Sequence, residues 1–189
     1  GPIDPQGVDV ASFKGPTPEE LSHDFLWRIH THVPGKGRIV VFNRSHYEDV
    51  LIVRVKNLVP ESRWEKRYDH INDFERLLHD EGTHILKFFL HISKDYQKQR
   101  LERRLEREDK HWKFNPEDLL ERDHWDAYQQ AYEVMMEKCG PKHAPWHIIP
   151  AERKWYRNLL IAEALVRQLE SMKMDWPKAK FDPTKIVVK

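Results

Sequence analysis

The sequence predicts an α/β domain in which a parallel sheet is flanked by helices. Short apolar segments of strand length alternate along the chain with longer segments that show helical periodicity. Such alternation is typical of right-handed βαβ units, whose parallel strands are joined through helices. With 189 residues, the chain is long enough to bury a substantial hydrophobic core. Residues 1–189 are therefore expected to form a single domain.

The first half of the chain contains two predicted strands and three predicted helices. Thr17 and Pro18, followed by two glutamates, form a typical helix start, with a cap residue, proline at the first helical position and carboxylates in the first turn. Residues 39–42 are an unbroken apolar run, as expected of a strand that is buried on both faces. In order, the predicted elements are a strand at 8–13, a helix at 17–32, a strand at 38–42, a helix from about residue 46 and a long amphipathic helix at 62–78 that Gly82 ends.

The second half of the chain continues this alternation. Residues 84–92 are rich in apolar side chains and are expected to form a second buried strand. Asn115 and Pro116 precede two acidic residues and open another helix. In order, the predicted elements are a strand at 84–92, a helix at 94–107, a helix at 115–138, a strand at 146–150, a helix at 153–172 and a basic tail at 177–189 that is expected to form an extended strap.

The composition narrows the class of protein. The formal net charge is only +1, so the overall charge indicates neither a nucleic-acid-binding nor a membrane-surface protein. The single cysteine, Cys139, rules out an intramolecular disulfide and agrees with a reducing compartment. No apolar segment approaches the roughly 20 residues that span a bilayer, and no signal-like segment opens the chain. These features predict a soluble cytoplasmic protein.

Polar side chains follow the predicted strand at 38–42. Asn43, Arg44 and Ser45 come directly after its last apolar residue. In α/β proteins that handle nucleotides, ligands bind at the carboxyl ends of the strands, where such groups reach a phosphate or its metal ion. The turn at 91–94 and residues 151–154 should lie along the same rim. A simpler interpretation, equally open at this point, is a turn in which Ser45 caps the following helix.

The predicted helix at 94–107 has its charges segregated by sign. On a helical wheel, Leu101 and Leu105 lie beside a stripe of four arginines, and the two glutamates lie on the far side. The stripe and its extension past the helix end consist of Arg100, Arg103, Arg104, Arg107, Lys110 and Lys113. Such a stripe repels itself, and guanidinium groups present a planar fork to phosphate oxygens. We therefore expect it to bind an elongated polyanion.

The arginine stripe is also compatible with two different roles. It could be a surface face that pairs with acidic residues elsewhere, which is the commoner arrangement for a run of charge. An RNA backbone would also satisfy it, although the near-neutral net charge and the absence of RRM, KH or zinc-knuckle motifs disfavour an RNA-binding module. Zinc chemistry and serine hydrolysis lack support, because the twelve histidines form no HExxH motif and Ser45 has no GxSxG setting.

Seven segments of the sequence together point to a family. In chain order they are IDPQGVDVASFKGPTPEEL, FNRSHYEDVLIVRV, RWEKRYDHINDFERLL, THILKFFLHISK, RLERRLE, KHWKF and HAPWHIIPAERKWYRNLL. With these segments the chain resembles the family-2 polyphosphate kinases from about residue 3 to residue 188. The resemblance implies a P-loop-kinase-like fold with a helical lid, here residues 94–122. It also implies an enzyme that moves a phosphoryl group between inorganic polyphosphate and nucleotides, AMP or ADP to ADP or ATP.

The same resemblance implies a cofactor and partners. The cofactor is Mg²⁺, and the expected form is a homo-oligomer that binds neither nucleic acid nor a membrane. The family's glycine-rich phosphate loop lies before the IDPQG segment, which stands at the start of this chain. We therefore expect the chain as given to have weak or no kinase activity. The alternative is a non-catalytic fragment or degenerate relative that still binds polyphosphate or nucleotide.

Individual roles follow from the resemblance. Asn43 and Arg44 are the expected catalytic residues. Asn43 stands where many P-loop enzymes place an aspartate that holds Mg²⁺, and its amide is a weak metal ligand, directly or through water. The expected nucleotide-binding residues are Arg44, Ser45, Tyr47 and Glu48, and the expected polyphosphate-binding residues are Arg100, Arg103, Arg104, Arg107, Lys110 and Lys113. For Glu48 the residues alone leave a second interpretation open, an exposed first-turn carboxylate favoured by the helix dipole.

Overall fold

The fold is α/β, in a computed structural model that describes residues 5–175, 178–182 and 185–186. The strands are β1 (Val8–Ser12), β2 (Ile39–Asn43), β3 (Lys87–His91) and β4 (Trp146–Pro150). The α-helices are α1 (Pro18–Ser22), α2 (Trp27–His30), α3 (Ile52–Val55), α4 (Glu61–Trp64), α5 (Arg67–Asp80), α6 (Lys94–Glu106), α7 (Glu117–Asp123), α8 (Trp125–Lys138) and α9 (Lys154–Ser171). Short 3-10 helices lie at Pro5–Gly7, His46–Val50 and Glu108–Lys113.

The strands form two separate parallel pairs. In the first pair Ser12 of β1 lies opposite Asn43 of β2, and in the second His91 of β3 lies opposite Pro150 of β4. Helices connect the strands of each pair, α1 and α2 in the first and α6 to α8 in the second. The predicted parallel βαβ arrangement is therefore confirmed, and it brings the carboxyl ends of paired strands together.

The prediction that the strands are buried on both faces is wrong. Val41 in β2 is 49% exposed and Leu90 in β3 is 46% exposed. Within the described chain, each strand has exposed as well as buried or half-buried residues, so its cover is incomplete. An unbroken apolar run therefore marked these strands correctly but overstated how much of them is covered.

Three predicted long helices are each divided into two. The helix expected at 17–32 stops at Ser22, because the carboxylate of Asp24 accepts from the backbone N–H groups of Leu26 and Trp27 and starts a new turn there. The predicted start is confirmed, since Thr17 and Glu20 form a reciprocal capping box. The other divisions separate α4 from α5 and α7 from α8. The helix expected from residue 46 is a 3-10 helix followed by the short α3.

The core has two clusters that meet on α5. One cluster holds Tyr68 and Ile71 of α5 together with Met135 of α8, all at most 1% exposed. The second holds Phe74 of α5 with Ile29 and neighbouring apolar residues of β1. Burying a side chain of this size contributes roughly 1.5–3 kcal/mol relative to leaving it exposed. α5 therefore fixes both strand pairs to one scaffold.

Two features at the chain ends and turns complete the fold. Gly82 follows α5 with φ +92°, the left-handed conformation that glycine adopts without steric cost, and it ends the helix as predicted. Of the strap expected at 177–189, the structure describes residues 178–182 and 185–186, and the rest lies outside the described residues. Within the described chain, no helix combines the length and the apolar character needed to cross a bilayer.

Candidate functional site

The turn after β2 presents polar side chains at the carboxyl ends of β1 and β2. The Asn43 amide donates to the Ser12 hydroxyl across the strand pair, at 3.4 Å. Ser45 accepts from the backbone N–H of Tyr47 and caps the following 3-10 helix, so the capping interpretation is confirmed for this residue. Arg44 projects to solvent, with 62% of its side chain exposed, and its Nε lies 4.0 Å from Glu48 Oε1.

Arg44 adopts an uncommon backbone conformation. Its φ is +61°, in the left-handed region that residues with a side chain seldom occupy. A residue held there by its surroundings is a candidate for a functional constraint. The conformation belongs to the one residue of this turn whose charge faces solvent.

Glu48 lies half-buried beside this turn. Burial raises the pKa of its carboxyl above the ordinary value of 4.5, and the charge of Arg44 opposes that rise. The carboxylates of Asp49 and Glu121 add to the rise. The second interpretation of Glu48 is borne out in its position, since Glu48 stands in the first turn of the 3-10 helix at His46–Val50, but the carboxylate is only partly exposed, at 36% of the side chain.

Tyr47 lies beneath the turn rather than on its surface. It is 4% exposed, and its hydroxyl donates to Glu75 Oε1 at 2.7 Å and accepts from Lys87 Nζ at 2.8 Å. His46 Nε2, 3.2 Å from the same carboxylate oxygen, carries the proton of that contact, since an ionised carboxylate only accepts. We call His46, Tyr47, Glu75 and Lys87 the buried network.

Lys87 uses all its donors within the buried network and its surroundings. Its ammonium donates to Tyr47, to Glu75 Oε2 at 2.7 Å and to the backbone carbonyl of Cys139 at 2.7 Å. Burial alone would raise the pKa of the Glu75 carboxyl, but the His46 hydrogen bond and the Lys87 charge hold that pKa below 4.5. The pair is therefore ionised and fully hydrogen-bonded, as a buried ion pair requires.

A cavity of about 400 Å³ lies at the carboxyl ends of β3 and β4. At the same strand ends, Glu152 accepts from the backbone N–H of Ser93 at 3.0 Å and from its hydroxyl at 2.7 Å. This contact brings together the turns at 91–94 and 151–154, two of the three segments predicted to share a rim, whereas the turn after β2 belongs to the other strand pair. The ionic side chains that line the cavity are Arg100 and Arg104 of α6, Asp118 and Glu121 of α7, and Lys154 and Arg157 of α9.

The charges of the cavity do not balance. Asp118 pairs with Arg104 at 3.4 Å, and Glu121 pairs with Lys56, outside the cavity lining. The three remaining cations are Arg100, Lys154 and Arg157, and none has a described carboxylate within the 4.0 Å limit of an ion pair. Uncompensated cations in a concave site attract anionic ligands.

The structure divides the predicted arginine stripe. Arg100 and Arg104 line the cavity, whereas Arg103, Arg107, Lys110 and Lys113 lie outside its lining. Carboxylates from outside α6 reach part of the stripe, as the surface-pairing interpretation allows, because Asp118 pairs with Arg104 and the hydrogen bonds of Arg107 and Lys110 lower the pKa of Asp109 to about 2. These acids follow the helix in sequence and fold back onto it.

The apolar face of α6, formed by Leu101 and Leu105, is only partly buried. Leu101 is 7% exposed, but Leu105 is 53% exposed and does not pack into the core. Beyond the helix, Lys113 lies over the ring of Trp112, with 4.7 Å between its Nζ and the ring centroid. The Trp112 ring is itself 78% exposed. This end of the segment is therefore held mainly by local contacts.

Sequence reasoning missed several residues of the site. Arg157 was not predicted, and Lys154 was placed on the rim without a role. The signal was present, because a basic ERKWYR run follows the last strand. The buried network was missed as well, although Glu75 interrupts the apolar stripe of α5 and Lys87 interrupts an apolar strand.

No metal centre is built by the described residues alone. They contain no group of three or more His, Cys, Asp or Glu side chains placed to hold an ion. The Asn43 amide is engaged with Ser12 through its nitrogen, so its oxygen is the group that could face a cation. One amide oxygen is a poor site for Mg²⁺, which prefers carboxylates, phosphates and water.

Comparison with known proteins identifies the family. The sequence model of the polyphosphate kinase 2 family matches residues 1–177. The chain belongs to this family. It is 56% identical, over 186 residues, to the AMP/ADP-polyphosphate phosphotransferase of Meiothermus ruber, covering 98% of this chain and 70% of that protein. It is 45% identical to the ADP-polyphosphate phosphotransferase of Rhodopseudomonas palustris, covering 93% of this chain and 65% of that protein.

Solved structures agree with the family and the fold. Polyphosphate kinase 2 from Arthrobacter aurescens superposes with a TM-score of 0.94 at 51% identity, over 96% of this chain and 64% of that chain. A polyphosphate kinase 2 from Pseudomonas aeruginosa gives a TM-score of 0.87 at 31% identity, over 92% of this chain and 38% of that one. The chain thus spans about two thirds or less of these four relatives, and the resemblance stated from its sequence is confirmed.

Proposed function

We propose that this chain forms two substrate-binding sites of an enzyme that transfers phosphoryl groups between inorganic polyphosphate and AMP or ADP. The turn after β2, which we call the acceptor turn, would bind the nucleotide, and the cavity would bind polyphosphate. The observation that carries the proposal is the cavity with three uncompensated cations at the carboxyl ends of β3 and β4. Membership of the polyphosphate kinase 2 family supports the choice of substrate. The similarity to the AMP/ADP-polyphosphate phosphotransferase of Meiothermus ruber supports both acceptors.

Polyphosphate is the ligand proposed for the cavity. Arg100 and Arg157 offer planar forks that bind two oxygens of a phosphate, and Lys154 adds a compact charge. Arg104 would exchange its Asp118 partner for phosphate or share it. Arg103, Arg107, Lys110 and Lys113 lie beyond the lining, and we propose that they attract the rest of the polyanion within the lid at 94–122.

The acceptor nucleotide is proposed to bind at the turn after β2. Arg44 and Ser45 offer a charge and a hydroxyl to its phosphate, and Glu48 lies beside them. Because Glu121 lines the cavity and also raises the pKa of Glu48, the turn and the cavity are within electrostatic reach of each other. Tyr47 is buried beneath the turn, and its proposed role is to hold the turn in position. Its buried hydroxyl leaves no room for a direct nucleotide contact.

The proposed chemistry requires placement rather than a protein nucleophile. In phosphoryl transfer the attacking and leaving oxygens lie roughly in line, and the protein neutralises charge on the transferred group. Arg44 would serve the acceptor phosphate and the cavity cations would serve the donor chain. Mg²⁺ stays a prediction, because the described residues do not fit a metal site of their own, and Asn43 would contribute at most one amide oxygen.

An oligomer and a cytoplasmic location are proposed from two further features. One face of α9 presents Trp155, Leu159 and Val166 to solvent, with 66%, 47% and 51% of each exposed. Their spacing of four and seven residues suits packing against another helix, as a homo-oligomer would provide. The free thiol of Cys139 agrees with a reducing compartment.

The test compares two arginines of α9. Arg157 lines the cavity, whereas Arg167 has 80% of its side chain exposed and pairs within the helix. We expect Arg157→Ala to weaken the binding of a defined-length polyphosphate about tenfold and to lower the salt slope by about 0.7–0.9. Arg167→Ala should stay within twofold. Equal losses in titration calorimetry at three salt concentrations would show that the cavity is not the binding site.

A further inference from the structure

We infer that the buried network positions Arg44 for the acceptor phosphate. The inference rests on the proposed function and adds to it a set of residues that never touch the substrate. Arg44 makes no described hydrogen bond to the network, and its described ion pair is with Glu48. The connection between them is the backbone of the turn, which leads from Arg44 through Ser45 directly into His46 and Tyr47.

The turn is fixed at both ends. Before it, Asn43 is paired with Ser12 in the parallel register of β1 and β2. After it, His46 and Tyr47 are both buried and both bonded to Glu75. A left-handed conformation at a residue with a side chain persists where the surrounding contacts over-determine it. The φ of +61° at Arg44 is the local sign of that constraint.

The network also ties the turn to the cavity. Glu75 belongs to α5, Lys87 is the first residue of β3, and the Cys139 carbonyl that accepts from Lys87 follows the end of α8. The other end of β3 supplies Leu90 to the cavity lining. One rigid strand therefore links the anchor of the acceptor turn with the proposed donor site.

The rigidity of the network comes from the paired ionic groups of Lys87 and Glu75, whereas Nδ1 of His46 is buried without a described hydrogen-bond partner. The side chains of Lys87, Glu75 and His46 are 5%, 1% and 8% exposed. Both oxygens of Glu75 accept hydrogen bonds, and the three N–H groups of Lys87 all donate. A hydrophobic group of similar volume could fill this space without such directional contacts. Directional contacts are what orient a neighbouring backbone.

A double-mutant cycle separates positioning from stability. His46→Leu removes one bond between the turn and Glu75, and Arg44→Ala removes the group that would be positioned. We expect His46→Leu to weaken ADP binding about tenfold when Arg44 is present and less than twofold in the Arg44→Ala protein. Its effect on the melting temperature should be the same in both backgrounds. Equal weakening of ADP binding in both would overturn the inference.

Three further variants serve as a rescue, a stability control and a substitute for His46→Leu. His46→Gln keeps a donor toward Glu75 and should restore most of the binding. Ile29→Val lowers stability in the other core cluster and should leave ADP binding within twofold. Tyr47→Phe removes only a hydroxyl and replaces His46→Leu in the cycle if that protein does not fold, with the same expected pattern.

A measurement without ligand distinguishes the inference from the proposed function. Absence of ADP and polyphosphate binding by the unaltered chain would count against the proposed function. The positioning can still be judged from amide hydrogen exchange of residues 43–48. Faster exchange there in His46→Leu, with unchanged exchange in β1, supports the inference, and unchanged exchange at 43–48 overturns it.

Discussion

The buried network and the arginine helix α6 use charge in opposite ways. In the network one ammonium and one carboxylate are sealed from water, and every described donor of Lys87 has a partner. On α6, Arg100 and Arg103 have no described carboxylate within the 4.0 Å limit of an ion pair. A buried charge must be paired within the protein, whereas an accessible charge is solvated by water and remains free to bind a ligand. We therefore propose a positioning role for the paired charges of the network and a binding role for the unpaired cations of the cavity.

The largest expected effect is the removal of Lys87. Lys87→Met leaves the Glu75 carboxylate buried without its cation and should cost about 3–5 kcal/mol of unfolding free energy. The measurement is urea denaturation followed by circular dichroism. In the double variant Lys87→Met with Glu75→Leu no charge is left buried, so much of the loss should be recovered. A single-variant loss below about 1 kcal/mol would show that the network is not a stabilising ion pair.

Two arginines of α6 test whether its unpaired charges bind polyphosphate in the cavity. Arg100 lines the cavity and Arg103 does not. We expect Arg100→Ala to weaken polyphosphate binding about tenfold, or about 1.4 kcal/mol, and Arg103→Ala to weaken it less than threefold. Both variants should keep their stability within about 0.5 kcal/mol, as surface positions without an ion pair usually do. If Arg103→Ala had the greater effect on binding, the ligand would lie along the outer face of α6 and not in the cavity.

Lowering the pH should reduce the unfolding free energy through protonation of Glu75. Its pKa is below the unfolded value of 4.5, so its contribution to stability is complete above pH 4.5 and is lost as the pH falls through the folded pKa. The unfolding free energy of the unaltered chain should therefore decrease more steeply below pH 4.5 than that of Glu75→Gln. Urea titrations at successive pH values measure the two slopes, and parallel slopes would contradict the assignment.

The smallest expected effect concerns the backbone of Arg44. Glycine tolerates a positive φ, so Arg44→Gly should be more stable than Arg44→Ala by about 1 kcal/mol. Both variants lack the guanidinium and should bind ADP equally weakly. Thermal melting of the matched pair gives the first comparison, and an Arg44→Ala protein as stable as Arg44→Gly would mean that the turn relaxes once the side chain is shortened.

Much of the fold could be predicted because its signals are local. The apolar run before Asn43, the capping box at Thr17 and the glycine after α5 each report on their own neighbourhood. The divisions within the long helices were not predicted, since Asp24 competes for backbone N–H groups in a way that an apolar repeat does not register.

The site was less predictable because it depends on distant partners. A helical wheel of α6 cannot show that Asp109 and Asp118 fold back onto the arginines, or that Arg157 completes the cavity. The buried network did leave a trace, in the form of opposite charges inside two apolar segments. A charge in such a place predicts a buried partner of opposite sign, although the sequence does not say which one.

The thiol of Cys139 gives this chain an internal reporter of opening. Its sulfur is buried and lies 3.7 Å from the Tyr68 carbonyl, while its own carbonyl receives Lys87. Burial raises the pKa of the thiol to about 12, so alkylating reagents meet almost no thiolate in the closed protein. Because the sequence contains no other cysteine, the alkylation rate reports how often local unfolding exposes the Cys139 thiol and the region around the network. Mass spectrometry can follow that rate on the unmodified chain, without introducing any label.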